Sequence, residues 1–266
     1  MVIIMKKNAE TATLVVDIGN TNITCGIYEQ EKLVRFARFC SSIHRTADEY
    51  FSLLIPLLNS KSLNKINNII IGSVVPELMR IWMHLFQKYL TAEIWEINAL
   101  SHLGIKYKVD DPSFIGADLI ANAFGALKKY HSDCIIIDLG TATTIQFISK
   151  EGSFEGTAIA PGLKVSSDTL FEKAALLSQI EIVSPSVLLG TNTRDALLSG
   201  IVNGHAYMLE SYIQNIKMQY PNCLNIITIL TGGIADLIYP LVPSIDIVDK
   251  TLTLDGFYLA YKTINH

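Results

Sequence analysis

The 266-residue chain is short of charge: Asp, Glu, Lys and Arg make up 17% of it, against 50% for hydrophobic residues. That balance excludes intrinsic disorder and leaves enough apolar material for a large core. Basic residues are few and scattered. The 21 Lys and Arg are outnumbered by 25 Asp and Glu, the net charge is −4, and no Lys/Arg block stands out. Nucleic acid is therefore not expected as a ligand. Only four cysteines occur, Cys25, Cys40, Cys134 and Cys223, and no two form a C-x-x-C pair. Such scatter supports neither structural zinc nor a disulfide framework, and buried reduced thiols are expected. Mean hydropathy is high, at +0.34, yet no uncharged apolar run reaches the ~18 residues of a membrane span, so no membrane partner is expected. The opening MVIIMKK is apolar before it is basic, the reverse of a secretory signal, and the cytoplasm is the expected location. Neither G-x-x-x-x-G-K-[ST] nor G-x-G-x-x-G occurs, so the P-loop and the Rossmann fingerprint are both absent. His44, His84, His102, His131 and His205 show no ligand spacing, and isolated histidines are expected to be structural or solvated.

What is present is an alternation of strand-like and helix-like segments, which means an α/β fold. Residues 1–11 read as a short extension with a mobile tip. Leu14 to Phe39 reads as two or three strands. TADEYFSLLIPLL opens a helix, with Thr46 and Glu49 at capping-box spacing and Pro56 expected to kink or shorten it. INNIIIGSVVP is a buried strand, and its Pro76 starts a helix to about Tyr89. AEIWEI is another strand. GADLIANAFGALKKY is helical, with Gly116 before it and basic residues at its end. A strand restarts at Ile135, hairpin strands run to about Ala160, and Pro161-Gly162 forms a turn. Helices are expected over Ser166–Leu177 and Thr193–Tyr220. CLNIITIL is a strand, and a last helix should follow TLTLDGF. No linker divides the chain, so a boundary is placed near Tyr130, giving lobes 12–130 and 131–266.

Two stretches share one form. LVVDIGNTNITCGIY ends an apolar run in Asp17 and Gly19, and IIIDLGTATTIQFI does the same with Asp138 and Gly140. Laid together, Asn20-Thr21-Asn22 falls on Thr141-Ala142-Thr143. Each reads as a strand, a tight polar turn and a returning strand. Glycine lets a backbone approach phosphate closely, and turn N–H groups and threonine hydroxyls donate to its oxygens. A strand-end aspartate supplies the one or two carboxylates that Mg²⁺ takes beside phosphates. Two matched copies imply duplication.

The tandem turns resemble the superfamily of actin, sugar kinases and heat-shock chaperone ATPases, and in detail the type III pantothenate kinases. DIGNTN and DLGTATT resemble the family's phosphate motifs. SVVP at Ser73–Pro76, GADLIAN at Gly116–Asn122, IAPGL at Ile159–Leu163, GTNTRDALLSG at Gly190–Gly200 and TGG at Thr231–Gly233 follow in the family's order. The resemblance implies two similar ribonuclease H-like lobes, a duplicated actin-like ATPase fold with a nucleotide cleft between them. It implies ATP-dependent phosphorylation of pantothenate, the first step towards coenzyme A, by a homodimer using Mg²⁺ and a monovalent cation, K⁺ or NH₄⁺. Carried onto this sequence, Asp17 and Asp138 serve the metal. Gly19, Asn20 and Thr21 form the first phosphate turn, and Gly140, Thr141, Ala142, Thr143 and Thr144 the second. Thr231, Gly232 and Gly233 lie near the adenosine. Asp118 is the general base, on the face of Asn122. Tyr107, Pro112, Gly116, Ala117 and position 119 frame the pantothenate pocket, and Thr193 reaches the neighbouring subunit's substrate, or caps its own helix. Gly200 and Gly204 are expected to allow close helix packing.

One position departs from the family. Arginine normally follows the base aspartate, and here Leu119 stands. Three readings are open. Lys106, Lys108 or Arg194 replaces the missing cation; the substrate is another small alcohol or acid; or the chain is a diverged nucleotide-binding regulator without kinase activity.

Overall fold

The computed structural model describes residues 11–63, 65–173 and 179–265. The expected N-terminal extension, but for Thr11, lies outside these residues, as do the last four positions of the helix expected over Ser166–Leu177. The chain opens with β1 (Ala12–Ile18), β2 (Asn22–Glu29), β3 (Lys32–Cys40), α1 (Ala47–Leu63), β4 (Ile66–Ser73), α2 (Pro76–Tyr89) and β5 (Glu93–Glu96). Then come β6 (Lys106–Tyr107), α3 (Ala117–Tyr130), β7 (Asp133–Leu139), β8 (Ala142–Ile148), β9 (Ser153–Pro161) and α4 (Leu163–Lys173). The last elements are α5 (Thr193–Leu198), α6 (Gly204–Gln219), β10 (Ile226–Gly232), α7 (Ala235–Ile238), β11 (Ile247–Val248) and α8 (Leu252–Ile264).

Local chemistry explains several boundaries. The α1 start is a true capping box: Glu49 N–H donates to Thr46 Oγ1 at 3.3 Å, and Thr46 N–H donates to Glu49 Oε2 at 2.7 Å. Pro56 lies inside α1 and does not shorten it. Pro76 opens α2, where its missing N–H costs nothing. The helix expected over Thr193–Tyr220 is interrupted: a π-helical turn, Ser199–Asn203, separates α5 from α6. Pro161 belongs to β9 rather than to a turn. The last helix starts at Leu252, within TLTLDGF rather than after it. Threonine and glycine are poor helix formers, but packing overrides them. A Cβ on Gly256 would lie 1.9 Å from the Ala121 carbonyl oxygen, so glycine lets α8 press onto α3.

There are two sheets among the described residues. One runs β3-β2-β1-β4-β5 and the other β11-β10-β7-β8-β9-β6. Set β6 aside, and the second order repeats the first. β1 and β7 each pair antiparallel with the next strand in sequence, and parallel with β4 or β10 on the other side.

The chain divides into two compact units, and not at one cut near Tyr130. Unit 1 holds the described residues up to Leu103, with Asp111–Gly125 and Thr253 onward; unit 2 holds Gly104–Asp110 and Ala126–Leu252. Long-range packing is the reason. In α8, Tyr258 stacks on Tyr28 of β2 with ring centroids 4.3 Å apart, and Asp255 accepts from the Tyr28 hydroxyl at 2.5 Å. In unit 1, Leu14, Val16 and Ile18 join Tyr50, Leu54, Trp82 and Phe86 in one core, so α1 and α2 cover that sheet face. In unit 2, Ile135, Ile137 and Leu139 pack with Val202, Ala206, Leu209 and Ile213.

Candidate active site

In unit 1, side chains alternate along β1, so Asp17 points away from the Val16 and Ile18 core. Its register partners are Thr24 on β2 and Gly72 on β4. The α3 start packs on this face, since a Cβ on Gly72 would lie 3.1 Å from the Cβ of Ala117. Ala117 precedes Asp118. Asp17 and the helix start bearing Asp118 thus belong to one face of one sheet.

Gly116 makes that start possible. Its carbonyl accepts from Ile120 N–H at 3.2 Å, and a Cβ there would lie 2.5 Å from Asp118 Oδ1. Asp118 Oδ1 accepts from Leu119 N–H at 2.8 Å. Burial raises the Asp118 pKa, and this backbone bond offsets it only in part. A partly buried carboxylate made more basic than usual suits a proton acceptor. Asn122 does not join it at the surface: it is fully buried and accepts from Thr253 Oγ1 at 2.8 Å. Leu119 is buried as well, 7% exposed. Of the cations considered in place of arginine, Lys108 is bonded to Glu155 at 2.8 Å and Arg194 stands 3.8 Å from Asp195.

The first turn, Gly19 to Thr21, is latched by Ser41. Its hydroxyl donates to the Gly19 carbonyl at 2.6 Å, and its N–H to the Thr21 carbonyl at 2.9 Å. Gly19 N–H donates to the Asn22 carbonyl at 3.0 Å. A shallow cavity of about 300 Å³ lies beside the turn, lined by Asn20, Ser41, Ser42, Ile43, His44, Val75 and Leu78.

The second turn is built likewise in unit 2. Asp138 has Thr144 and Thr231 as register partners, matching Thr24 and Gly72 in the first copy. Gly162 takes the latch position: its N–H donates to the Thr141 carbonyl at 3.1 Å, and a Cβ there would strike that oxygen at 2.3 Å. The two turns differ in length. Ile18 pairs with Ile23 but Leu139 with Thr143, so four residues close the first turn and three the second. The counterpart of Thr143 is therefore Ile23, not Asn22 as an ungapped comparison has it. Thr141 is exposed and Thr144 partly buried, but Thr143 is fully buried and shares a 3.0 Å hydrogen bond with His205 Nε2.

Gly232 ends β10 with φ +101°, and a Cβ there would lie 2.6 Å from both N and O of Leu139, so only glycine fits. Tyr107, also in unit 2, encloses its hydroxyl without a hydrogen-bond partner among the described residues, and burial raises its pKa. Pro112 opens a short 3₁₀ turn in unit 1. Thr193 is exposed at the α5 start, and the cap is Asn192, whose Oδ1 accepts from Asp195 N–H at 2.9 Å. Asparagine caps better than threonine. Beyond its own helix backbone and chain neighbours, a Cβ placed on Gly200 or Gly204 would meet nothing within 4 Å, so neither glycine makes a close contact with another described helix.

The donor set suits a metal held together with a phosphate ligand. Among the described residues no three His, Cys, Asp or Glu side chains gather as a metal cage. Mg²⁺ needs none, because it takes one or two carboxylates beside phosphate oxygens. A Cβ at 162 would collide with the Thr141 and Gly140 carbonyl oxygens, so glycine there lets the chain close on the second turn.

Two like sheets, each ending its central strand in an acid and a glycine turn, define an α/β protein of the actin-like ATPase and sugar-kinase fold. The structure is similar to a Sinorhizobium meliloti protein described as a 2-dehydro-3-deoxygalactonokinase, with a TM-score of 0.60 at 13% identity over 96% of this chain and 99% of that one. The chain belongs to the type III pantothenate kinase family, which residues 13–215 match. It is 38% identical to the type III pantothenate kinase of Roseiflexus castenholzii over 94% of this chain and 98% of that protein. It is 36% identical to that of Geobacter sulfurreducens over the same shares. No described helix is long and apolar enough to cross a membrane.

Proposed function

We propose that this protein transfers the γ-phosphate of ATP to the primary hydroxyl of pantothenate, giving 4'-phosphopantothenate, the first step of coenzyme A synthesis. The observation that carries the reading is the joint placement of Asp17 and the Asp118 helix start on one sheet face, through Gly72. In this reading Asp118 accepts the hydroxyl proton at its carboxylate. Gly19, Asn20 and Thr21 grip phosphate oxygens in unit 1, and Gly140, Thr141, Ala142 and Thr144 do so in unit 2, with Thr143 behind them. Asp17 in unit 1 and Asp138 in unit 2 each offer a carboxylate to Mg²⁺, which when bound neutralises charge on the transferring phosphate. Thr231, Gly232 and Gly233 leave room for adenosine. Tyr107, Pro112, Gly116 and Ala117 frame pantothenate, and Leu119 contributes packing without charge.

Dependence on K⁺ or NH₄⁺ comes from the family resemblance, and a cytoplasmic location from the apolar-then-basic opening of the sequence. A homodimer is also proposed. Its support is the exposure of large apolar side chains in unit 2, with Ile159 66%, Leu188 61%, Leu189 85% and Tyr207 57% exposed, and the open space beside Gly200 and Gly204.

A coupled assay with ATP, Mg²⁺, K⁺ and pantothenate tests the reaction. Turnover that falls about a hundredfold or more in Asp118→Asn supports it. Transfer only to another small alcohol or acid replaces the substrate. Nucleotide binding with no transfer to any acceptor supports the regulatory alternative, which rests on Leu119.

A further inference from the structure

The two sheets are copies, so matched positions can be compared directly. The residue that closes the first turn is Ile23, an apolar side chain with no exposure. Its counterpart Thr143 is just as buried but carries a hydroxyl. A hydroxyl in such a place is costly unless it is bonded. His205, at the start of α6 and itself only 8% exposed, supplies the bond at 3.0 Å. Burial lowers the His205 pKa and favours the neutral ring, with one nitrogen free to donate and the other to accept.

The pair sits under the second turn. Thr143 follows Ala142, whose carbonyl accepts from Gly140 N–H at 3.1 Å, and it pairs with Ala160 on the strand leading to Gly162. The Thr143 side chain thus ties the start of the returning strand, one residue after the turn, to α6. On its other side His205 borders a groove of about 530 Å³ with Leu170, Gly200, Gly204 and Met208.

We propose that His205 is a positioning residue: by holding Thr143 it sets the geometry of the Gly140–Ala142 turn and so tunes nucleotide affinity. This rests on reading that turn as a phosphate site.

The test compares His205→Phe, which keeps a ring and loses the bond, His205→Gln, which keeps a polar atom, Thr143→Val, and the double variant His205→Phe/Thr143→Val. Readouts are the dissociation constant of a fluorescent ATP analogue, the separate KM values for ATP and pantothenate, and Tm. Loss of one ordinary hydrogen bond should weaken nucleotide binding roughly three- to tenfold. The expected pattern is that loss in each single variant, an unchanged KM for pantothenate, recovery in His205→Gln, and a double variant no worse than either single one. If His205→Phe does not fold, Thr143→Val carries the comparison. Lower Tm with unchanged nucleotide binding, or additive losses in the double variant, overturns the proposal. If the unaltered protein binds nucleotide but phosphorylates no pantothenate, the proposed function fails while the binding series still decides this point. If it binds no nucleotide, the phosphate-site reading and this inference fail together.

Discussion

Gly72 stands beside Asp17 on the neighbouring parallel strand, and the ring of Phe257 fills the place where its side chain would be. A Cβ there would come within 2.2 Å of two ring carbons. The absence of one methyl group thus lets α8 and the α3 start share the face that carries Asp17.

Gly72→Ala should overpack this contact and cost about 1–3 kcal/mol. In a chain of this size that lowers Tm by roughly 2–10 °C. Phe257→Leu in the same chain should return part of the loss. Thermal melts of the single and double variants check both statements.

Asp118→Asn should lower turnover about 10²- to 10⁴-fold, the usual share of a general base, while nucleotide binding persists. It should also raise stability near neutral pH. Because burial raises the folded pKa, folding favours the protonated carboxyl. That favour is complete below the unfolded pKa and is lost as pH rises through the folded value. Asparagine carries no such loss, so its Tm advantage should appear on the alkaline side of that window. A Tm equal to that of the unaltered protein at pH 8 would contradict this account.

Asp249 shows the opposite balance. Burial raises its pKa, but Lys129 at 2.6 Å and Tyr130 at 2.8 Å outweigh it, and the net shift is downward. This contribution is present above the unfolded pKa and is lost as pH falls through the lowered folded one. Asp249→Ala should cost about 2–3 kcal/mol at pH 7, with a smaller difference from the unaltered protein in acid. Urea titrations at pH 7 and at about pH 2.5, below the usual carboxylate pKa, measure it.

Gly162→Ala should act on ligand binding as well as stability. Its new methyl group would meet the Gly140 and Thr141 carbonyl oxygens at 2.5 and 2.3 Å, and backbone cannot yield as a side chain can. Nucleotide affinity should fall at least tenfold, a fall that ATP-analogue titration reads.

Much of this was legible because its causes are local. The Thr46/Glu49 box, the Pro76 helix start and the two acid-and-glycine turns each lie within a few consecutive residues. What escaped depends on distant partners. The one-residue difference between the turns appears only when Ile23 and Thr143 are seen opposite Ile18 and Leu139. His205 has no sequence signal, because its meaning comes from a threonine 62 positions away. The division into units was hidden for the same reason: Tyr258 and Phe257 find their partners at Tyr28 and Gly72.

The assignment of α8 to unit 1 constrains how the chain can be made. Synthesis delivers β1 early, but Tyr28 waits for Asp255 and Tyr258, more than two hundred residues later. At translation rates of about 5–20 residues per second that interval lasts roughly ten to fifty seconds. During it, the sheet face bearing Asp17 lacks one of its covering helices. Unit 2 has all its strands by Val248, before α8 has formed. β1 thus leaves the ribosome before any strand of unit 2 yet belongs to the unit that waits for α8, and a nascent chain halted before Thr253 should leave that unit open to protease.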